Sequence, residues 1–243
     1  MSNITLITIT APSCGGKSFL FNYIRDVAKL PCLISTTTRS PRANELEGVD
    51  YFFISEEQSL QMEKDNQFAE LAIYRGVRYG VTKEEFSKKL NPNSPIAFLI
   101  CEPSGINHYA KPALDIGAKH FKIFIDTPWE TRFDRFKQRI SLDLTKSFAD
   151  YLDKMSNHPY LKFKSDIIPH EDSHKVVQAG LDRLSSMLTI ENTWVNLADW
   201  DLILNGIHSP EHNLRILSEN LVGHNLVKIE DGSFIDKDVQ QTY

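Results

Sequence analysis

The stretch TITAPSCGGKSFL, residues 8–20, ends an apolar run, crowds Gly15 and Gly16 before Lys17, and continues into a helical pattern. Ala11–Ser18 fits the phosphate-loop pattern G-x-x-x-x-G-K-[ST] except for the alanine at its first position. The replacement leaves the chemistry in place. Two glycines let successive backbone N–H groups turn inward as an anion nest, and the following helix aims its positive end at the same point. Lys17 is placed to reach the β- and γ-phosphates of a nucleotide, and the Ser18 hydroxyl to ligate Mg2+. The alternative, a glycine-rich turn with an exposed lysine, does not account for the strand before the loop and the amphipathic helix after it. Cys14 stands inside the loop and reads as an idle variable position rather than a redox centre.

Around this loop the chain alternates. Apolar runs at 4–9, 96–100 and 121–125 are short, rich in Ile and Phe, and bounded by Pro, Ser, Gly or Asp, as strands of a buried parallel sheet are. Phe19, Leu20, Tyr23, Ile24 and Val27 follow a helical period, as do residues 129–140 and 173–188, where Val176, Val177, Leu181, Leu184 and Leu188 recur. Thr82 and Glu85 read as a capping box. Strands alternating with helices predict a doubly wound α/β fold. With 243 residues, 41% of them hydrophobic, the chain can build one sizeable core.

The formal charge of −5, from 27 basic and 32 acidic residues well mixed along the chain, offers no broad basic footprint and argues against nucleic acid as a partner. The cysteines at 14, 32 and 101 lack metal spacing and read as free thiols in a reducing compartment. MSNITLITIT has no basic n-region, and no apolar run reaches the length of a membrane span. A soluble, cytoplasmic protein is expected.

A second anion site follows the loop. Arg39 and Arg42 flank Pro41, which stiffens the turn, and two guanidinium forks on one rigid loop suit a phosphate held in a fixed direction. The run Ser35-Thr-Thr-Thr-Arg39-Ser-Pro-Arg42, then Glu47-Gly48-Val49-Asp50-Tyr51, then FAELAIYRGVRYG at 68–80 resembles, in order and spacing, the nucleoside-monophosphate site of guanylate kinases. APSCGGKS resembles that family's first motif, and the resemblance covers about residues 4–188.

The resemblance implies a phosphate-loop NTPase-type parallel sheet with a small nucleoside-monophosphate-binding subdomain at 34–95 and a lid at about 133–158, within a domain of residues 1–189. It implies transfer of the ATP γ-phosphate to GMP or dGMP, with Mg2+. Ala11, Pro12, Ser13, Cys14, Gly15, Gly16, Lys17 and Ser18 would hold ATP, Ser18 also serving the metal. Arg39, Arg42, Tyr51 and Tyr79 would clamp the acceptor's phosphate. Ser35 and Glu70 would read the guanine edge, with Gly80, Val81 and Glu102 alongside. A buried carboxylate facing two N–H donors discriminates well, because a base lacking them leaves it unpaired. Arg135 and Arg139, four apart on one helix face, resemble lid arginines that close over the transferring group and act with Lys17 and Arg39 in catalysis.

The chain departs from the family pattern in five places. Val81 stands where the family has Ser or Thr. In ICEPSG, Ile100 and Glu102 replace two aspartates. A third lid arginine has no counterpart near Asp150, where Lys146 or Lys154 is the substitute at hand. His170 replaces an asparagine near the donor's adenine, and residues 190–243 form an extension of unknown role. In that extension Ser209 and Pro210 open a helix, and Asp231-Gly232 turns a hairpin. HEDSH at 170–174 spells a zinc pattern, but Pro169 precedes it and Asp172 or Ser173 reads as an N-cap, which takes it out of a helix interior. His208 and His212 read as surface residues. Two rival functions remain open: a deoxynucleoside monophosphate kinase of broader base specificity, and a non-catalytic guanylate-kinase-like protein-binding module, against which the retained Lys17 and Ser18 speak.

Overall fold

The computed structural model describes residues 4–42, 45–74, 76–102, 105–106, 109, 112–113, 115–156 and 170–224, the side chains of 146–156 and 170–175 excepted. The chain divides into two compact units. One comprises the residues up to Ala11, Gly15–Thr127 and those from Val195 onward; the other comprises Pro12–Cys14 and Pro128–Trp194.

In the first unit, β1 (Thr5–Thr10) is buried along its whole length, the signature of an interior parallel strand covered on both faces. It pairs in parallel with β6 (Ile96–Ile100) on one side and with β7 (Lys119–Asp126) on the other. All three apolar runs read as strands are therefore strands. Leu6, Ile7 and Ile9 are fully buried, and burial of each such side chain is worth about 1.5–3 kcal/mol. A second sheet in the same unit has the order β3-β2-β5-β4, formed by β2 (Thr36–Thr37), β3 (Phe52–Phe53), β4 (Phe68–Tyr74) and β5 (Val77–Thr82).

Helix α1 (Lys17–Asp26) starts directly at the phosphate loop and buries Leu20, Phe21 and Ile24. Phe19 and Val27, read as part of the same apolar stripe, are 67% and 50% exposed, because the buried face is narrower than the sequence period suggested. Helix α2 (Glu56–Lys64) opens on a full capping box of Ser55 and Gln58. At α3 (Lys83–Lys89) only half of the expected box forms. Thr82 accepts from the Glu85 amide, but the Glu85 carboxylate turns inward and accepts from the Ile34 amide at 3.0 Å. A buried backbone N–H with no ladder partner draws the side chain away from its own helix.

Part of the segment set aside as an extension is built into this core. β8 (Leu202–Asn205) pairs in parallel with β7, completing the order β6-β1-β7-β8. Helix α6 (Pro210–Gly223), capped by Ser209 as its sequence predicts, buries Leu214, Leu217 and Leu221 in the same cluster as Ile7, Ile9, Leu20 and Ile24. The expected Asp231-Gly232 hairpin lies outside the described residues.

The second unit contains α4 (Trp129–Ser156) and α5 (His170–Thr189). They approach closely at Gly180, where a Cβ would come within 2.8 Å of Ile140. Val177, Leu181 and Leu188, predicted as a buried stripe, are exposed, and Gly180, Ser186 and Met187 are buried instead. α5 begins at His170, ahead of the Asp172 or Ser173 cap read from the sequence. The side chains of HEDSH lie outside those described, and no His, Cys, Asp and Glu cluster suited to a metal occurs among the described residues. No described helix is long and apolar enough to cross a membrane.

Candidate active site

The first unit carries the phosphate loop from Gly15 onward. Gly16 caps α1 at φ 96°, a left-handed conformation that glycine adopts without strain, and the N-terminal amides of α1 open beyond it. Lys17 Nζ donates to the carbonyl of Ala11 at 2.9 Å and lies 3.3 Å from Glu102 Oε1. Ser18 is exposed. The loop is braced from behind: Thr127 Oγ1 donates to the Gly15 carbonyl at 2.8 Å, and Gly206, just after β8, packs so closely that a Cβ there would fall 1.7 Å from Thr127 Oγ1. Glu102, read as the second acid of a degenerate motif, is thus the counter-ion of Lys17. Ile100 in turn packs against the core.

The second sheet of this unit carries the remaining candidates. Cross-strand partners share a face, so the register Glu70↔Val81 and Ala72↔Tyr79 sets Glu70, Val81 and Tyr79 on one side. Thr37↔Tyr79 adds β2 to that face, and Ser35 lies just before it, its carbonyl accepting from the Phe52 amide at 2.9 Å. Gly80 is obligatory by close approach, since a Cβ there would stand 2.6 Å from the Glu70 carbonyl. Val81 is fully buried in the apolar cluster that includes Cys101, Ile106 and Tyr109.

Arg39 and Arg42 converge on Glu45, a partner that the sequence reading missed. Glu45 accepts from Arg39 Nη1 and Nη2 at 2.9 Å each, from Arg42 Nη1 at 2.9 Å and from the Arg42 amide at 2.8 Å. Burial of Glu45 favours its neutral form, yet these hydrogen bonds outweigh burial and hold the carboxyl below its ordinary range. Burial likewise works against the Arg39 charge, and the Glu45 contacts more than restore it. The Arg39 guanidinium also lies 5.3 Å from the Tyr51 ring centroid and 5.8 Å from that of Phe53. Burial pushes the Tyr51 phenol up to about 12, so it stays a hydrogen-bond donor. An acidic residue three positions after Arg42 was the signal available for Glu45.

In the second unit, Ser13 is pinned by Glu191, whose carboxylate accepts from the Ser13 amide at 2.5 Å and from its hydroxyl at 2.8 Å. Pro12 is buried beside it in sequence. Cys14 sits at φ 60°, and its carbonyl accepts from Arg135 Nη1 at 3.2 Å. Arg139 follows one turn later on α4, half-buried. One turn before Arg135, Arg132 is buried, bonds Asn192 Oδ1 at 2.5 Å and lies 5.4 Å from the Trp129 ring. Its place in WETRFDRFKQR, in phase with Arg135 and Arg139, was a signal for it. Glu191, in the extension and far from the loop in sequence, had none. The side chains of Lys146 and Lys154, considered for the missing third arginine, lie outside those described.

A parallel sheet whose central strand runs into a glycine-lysine loop, with a helix starting at that loop, defines a phosphate-loop α/β protein. Within that class the comparisons are specific. A sequence model of guanylate kinase matches residues 3–182, and the chain belongs to the guanylate kinase family. The guanylate kinase of Bacteroides thetaiotaomicron is 35% identical over 116 residues, which cover 46% of this chain and 57% of that one. That of Lawsonia intracellularis is 39% identical over 97 residues, covering 39% of this chain and 45% of its own. The chain spans about half the length of the curated relatives it matches. A crystal structure of guanylate kinase from Anaplasma phagocytophilum shares the fold, with a TM-score of 0.55 and 17% identity over 94% of this chain and 89% of that one. The family resemblance and the α/β fold class read from the sequence are both borne out.

Proposed function

We propose that this protein transfers the γ-phosphoryl group of ATP to GMP or dGMP, giving the corresponding diphosphate, in the cytoplasm. The observation that carries the reading is that one compact unit holds two separate cationic anchors and a buried carboxylate between strands: Lys17 at the N-terminus of α1, the Arg39–Arg42 pair, and Glu70 on the face shared with Tyr79. One anchor suits the donor's phosphates and the other the acceptor's.

The acceptor phosphate is itself the nucleophile, so no covalent intermediate is required and the protein's work is alignment and charge neutralisation. Lys17 binds the donor phosphates together with the amides of Gly15–Ser18. The acceptor phosphate takes the place of the Glu45 carboxylate on the Arg39 and Arg42 forks, with Tyr51 and Tyr79 beside it. Glu70 accepts from the N1 and N2 hydrogens of guanine. In the lid, taken as about 133–158, Arg135 and Arg139 neutralise the transferring group.

The donor set beside the loop fits Mg2+. The Ser18 hydroxyl is exposed, and Glu102 Oε2 is buried with no hydrogen-bond partner among the described residues, so two hard oxygens are at hand. An ion held by the Ser18 hydroxyl and the Glu102 carboxylate would supply charge neutralisation for the bound phosphates.

The test is a coupled assay for ADP with Mg·ATP and each ribo- and deoxynucleoside monophosphate in turn. The reading requires ADP only when an acceptor is present, with GMP or dGMP preferred. ADP formation independent of acceptor, or none with any acceptor, contradicts it.

A further inference from the structure

The segment read from the sequence as an extension meets the phosphate loop at Ser13. Glu191, 1% exposed, opens a 3-10 turn (Glu191–Asn196) that follows α5 and lies beyond residue 182, where the match to guanylate kinase ends. Ser13 belongs to the same compact unit and gives both of its donors to this one carboxylate, the amide to Oε2 at 2.5 Å and the hydroxyl to Oε1 at 2.8 Å. Asn192, the next residue, accepts from Arg132 Nη2 at 2.5 Å, and Arg135, one turn further along α4, donates to the Cys14 carbonyl at 3.2 Å.

Two bonds from one residue to the two oxygens of a carboxylate fix its direction as well as its position. Cys14 shows what is being held. Its φ of 60° lies in the left-handed region that a residue with a side chain seldom adopts, and such a conformation persists only where the surroundings over-determine it. The contacts flank that residue: Glu191 holds Ser13 before it, and Arg135 holds the Cys14 carbonyl after it. With its amide and hydroxyl engaged by Glu191, Ser13 serves ATP indirectly, and the phosphates fall to the amides of Gly15–Ser18.

We infer that Glu191 is a positioning residue for the donor nucleotide, fixing Ser13 and with it the backbone at Cys14 so that the loop meets a nucleoside triphosphate already in its binding conformation. The inference rests on the reading of the Ala11–Ser18 loop as the ATP site. A buried carboxylate held at both oxygens is a fixed part of the loop's support, so the triphosphate binds without displacing it.

Glu191→Gln keeps the volume and one acceptor oxygen but turns the other acceptor into a donor that faces a donor. On the full chain, ATP with Mg2+ and GMP are compared by calorimetric Kd and by kcat and KM. Kd and KM for ATP rise about tenfold, the low end for one lost hydrogen bond to a charged group, while Kd for GMP stays in place and kcat changes far less than KM. An equal loss for both nucleotides overturns the inference, as does an unchanged ATP affinity at an unchanged melting temperature. Tighter ATP binding in the variant overturns it too, because the carboxylate would then compete with phosphate for the loop. If Glu191→Gln melts much lower, Ser13→Ala, which leaves the carboxylate in place and removes only the hydroxyl bond, decides. A loss of ATP affinity without a loss for GMP supports the inference there, and an unchanged Kd or an equal loss for both overturns it. A wild-type protein that binds no ATP overturns both this inference and the proposed function, whereas wild-type ATP binding with an unaltered Kd in the variants overturns this inference alone.

Discussion

The Lys17 ammonium is held between two oxygens of its own protein, 2.9 Å from the Ala11 carbonyl and 3.3 Å from a Glu102 carboxylate oxygen. The pair is partly exposed, so it adds little stability, and its value is orientation. A lysine already directed along the loop needs no search when a nucleotide arrives. Lys17→Ala therefore lowers kcat/KM by about 10³-fold or more while shifting the melting temperature little. Steady-state kinetics beside thermal melts check this, and near wild-type turnover in the variant contradicts it.

Glu45 neutralises Arg39 and Arg42 at once, so removing its charge leaves two guanidinium groups close together with no counter-ion. Glu45→Gln should cost about 1–3 kcal/mol of stability at neutral pH. Because the folded-state pKa of Glu45 lies below its unfolded value, its contribution is fully present above the unfolded carboxylate pKa and is lost as pH falls through the folded one. Melting of wild type and variant from neutral to acid pH should show two curves that converge at the acid end. A gap that stays constant rules this account out.

His120 on β7 also makes stability fall on acidification, but for a different reason. Its ring shares a 2.9 Å hydrogen bond with Thr8 Oγ1, and burial first, then the Lys122 charge, bring its pKa down to about 4, against the smaller pull of Asp201. Above the unfolded histidine pKa the ring is neutral in both states and costs nothing. As pH falls from about 6.5 to 4 the unfolded chain takes up a proton that the folded chain refuses, and stability drops by about 2 kcal/mol once partial exposure is allowed for. His120→Gln flattens the stability curve over that interval. An unaltered slope in the variant assigns the pH dependence elsewhere.

At the back of the phosphate loop, Gly206 has no room for a side chain, since an added Cβ would meet Thr127 Oγ1 and come within 2.8 Å of the Gly15 carbonyl. Gly206→Ala must displace the hydroxyl that holds Gly15. We expect a loss of about 1–3 kcal/mol and a raised KM for ATP with a smaller change in KM for GMP. Thr127→Val, which removes the donor without adding bulk, should reproduce the ATP effect with less loss of stability. Equal effects on both substrates would show that the brace does not act through the loop.

The phosphate loop was legible because its chemistry is local: eight consecutive residues, a strand before and a helix after. The Arg39–Arg42 pair was legible for the same reason, and Glu45, three residues on, was within reach. Glu191 on Ser13 was not, because the contact joins segments that only the folded chain brings together and no periodicity marks Glu191. Val177, Leu181 and Leu188 show another limit. A helical period shows that a face is apolar without telling what covers it, and here the close approach of α4 at Gly180 chose a neighbouring face. The strand at Leu202–Asn205 was passed over because four residues, LILN, carry too little pattern, although β7 supplied the edge that they complete.

Phosphorus NMR of the protein with ATP, Mg2+ and GMP tests the central claim most directly, because it follows the transferred group itself. The account predicts that GDP resonances grow in step with ADP, at the expense of ATP and GMP, and that they are absent with Lys17→Ala. ADP accompanied by inorganic phosphate with GMP unchanged, or a spectrum that does not change at all, would contradict it.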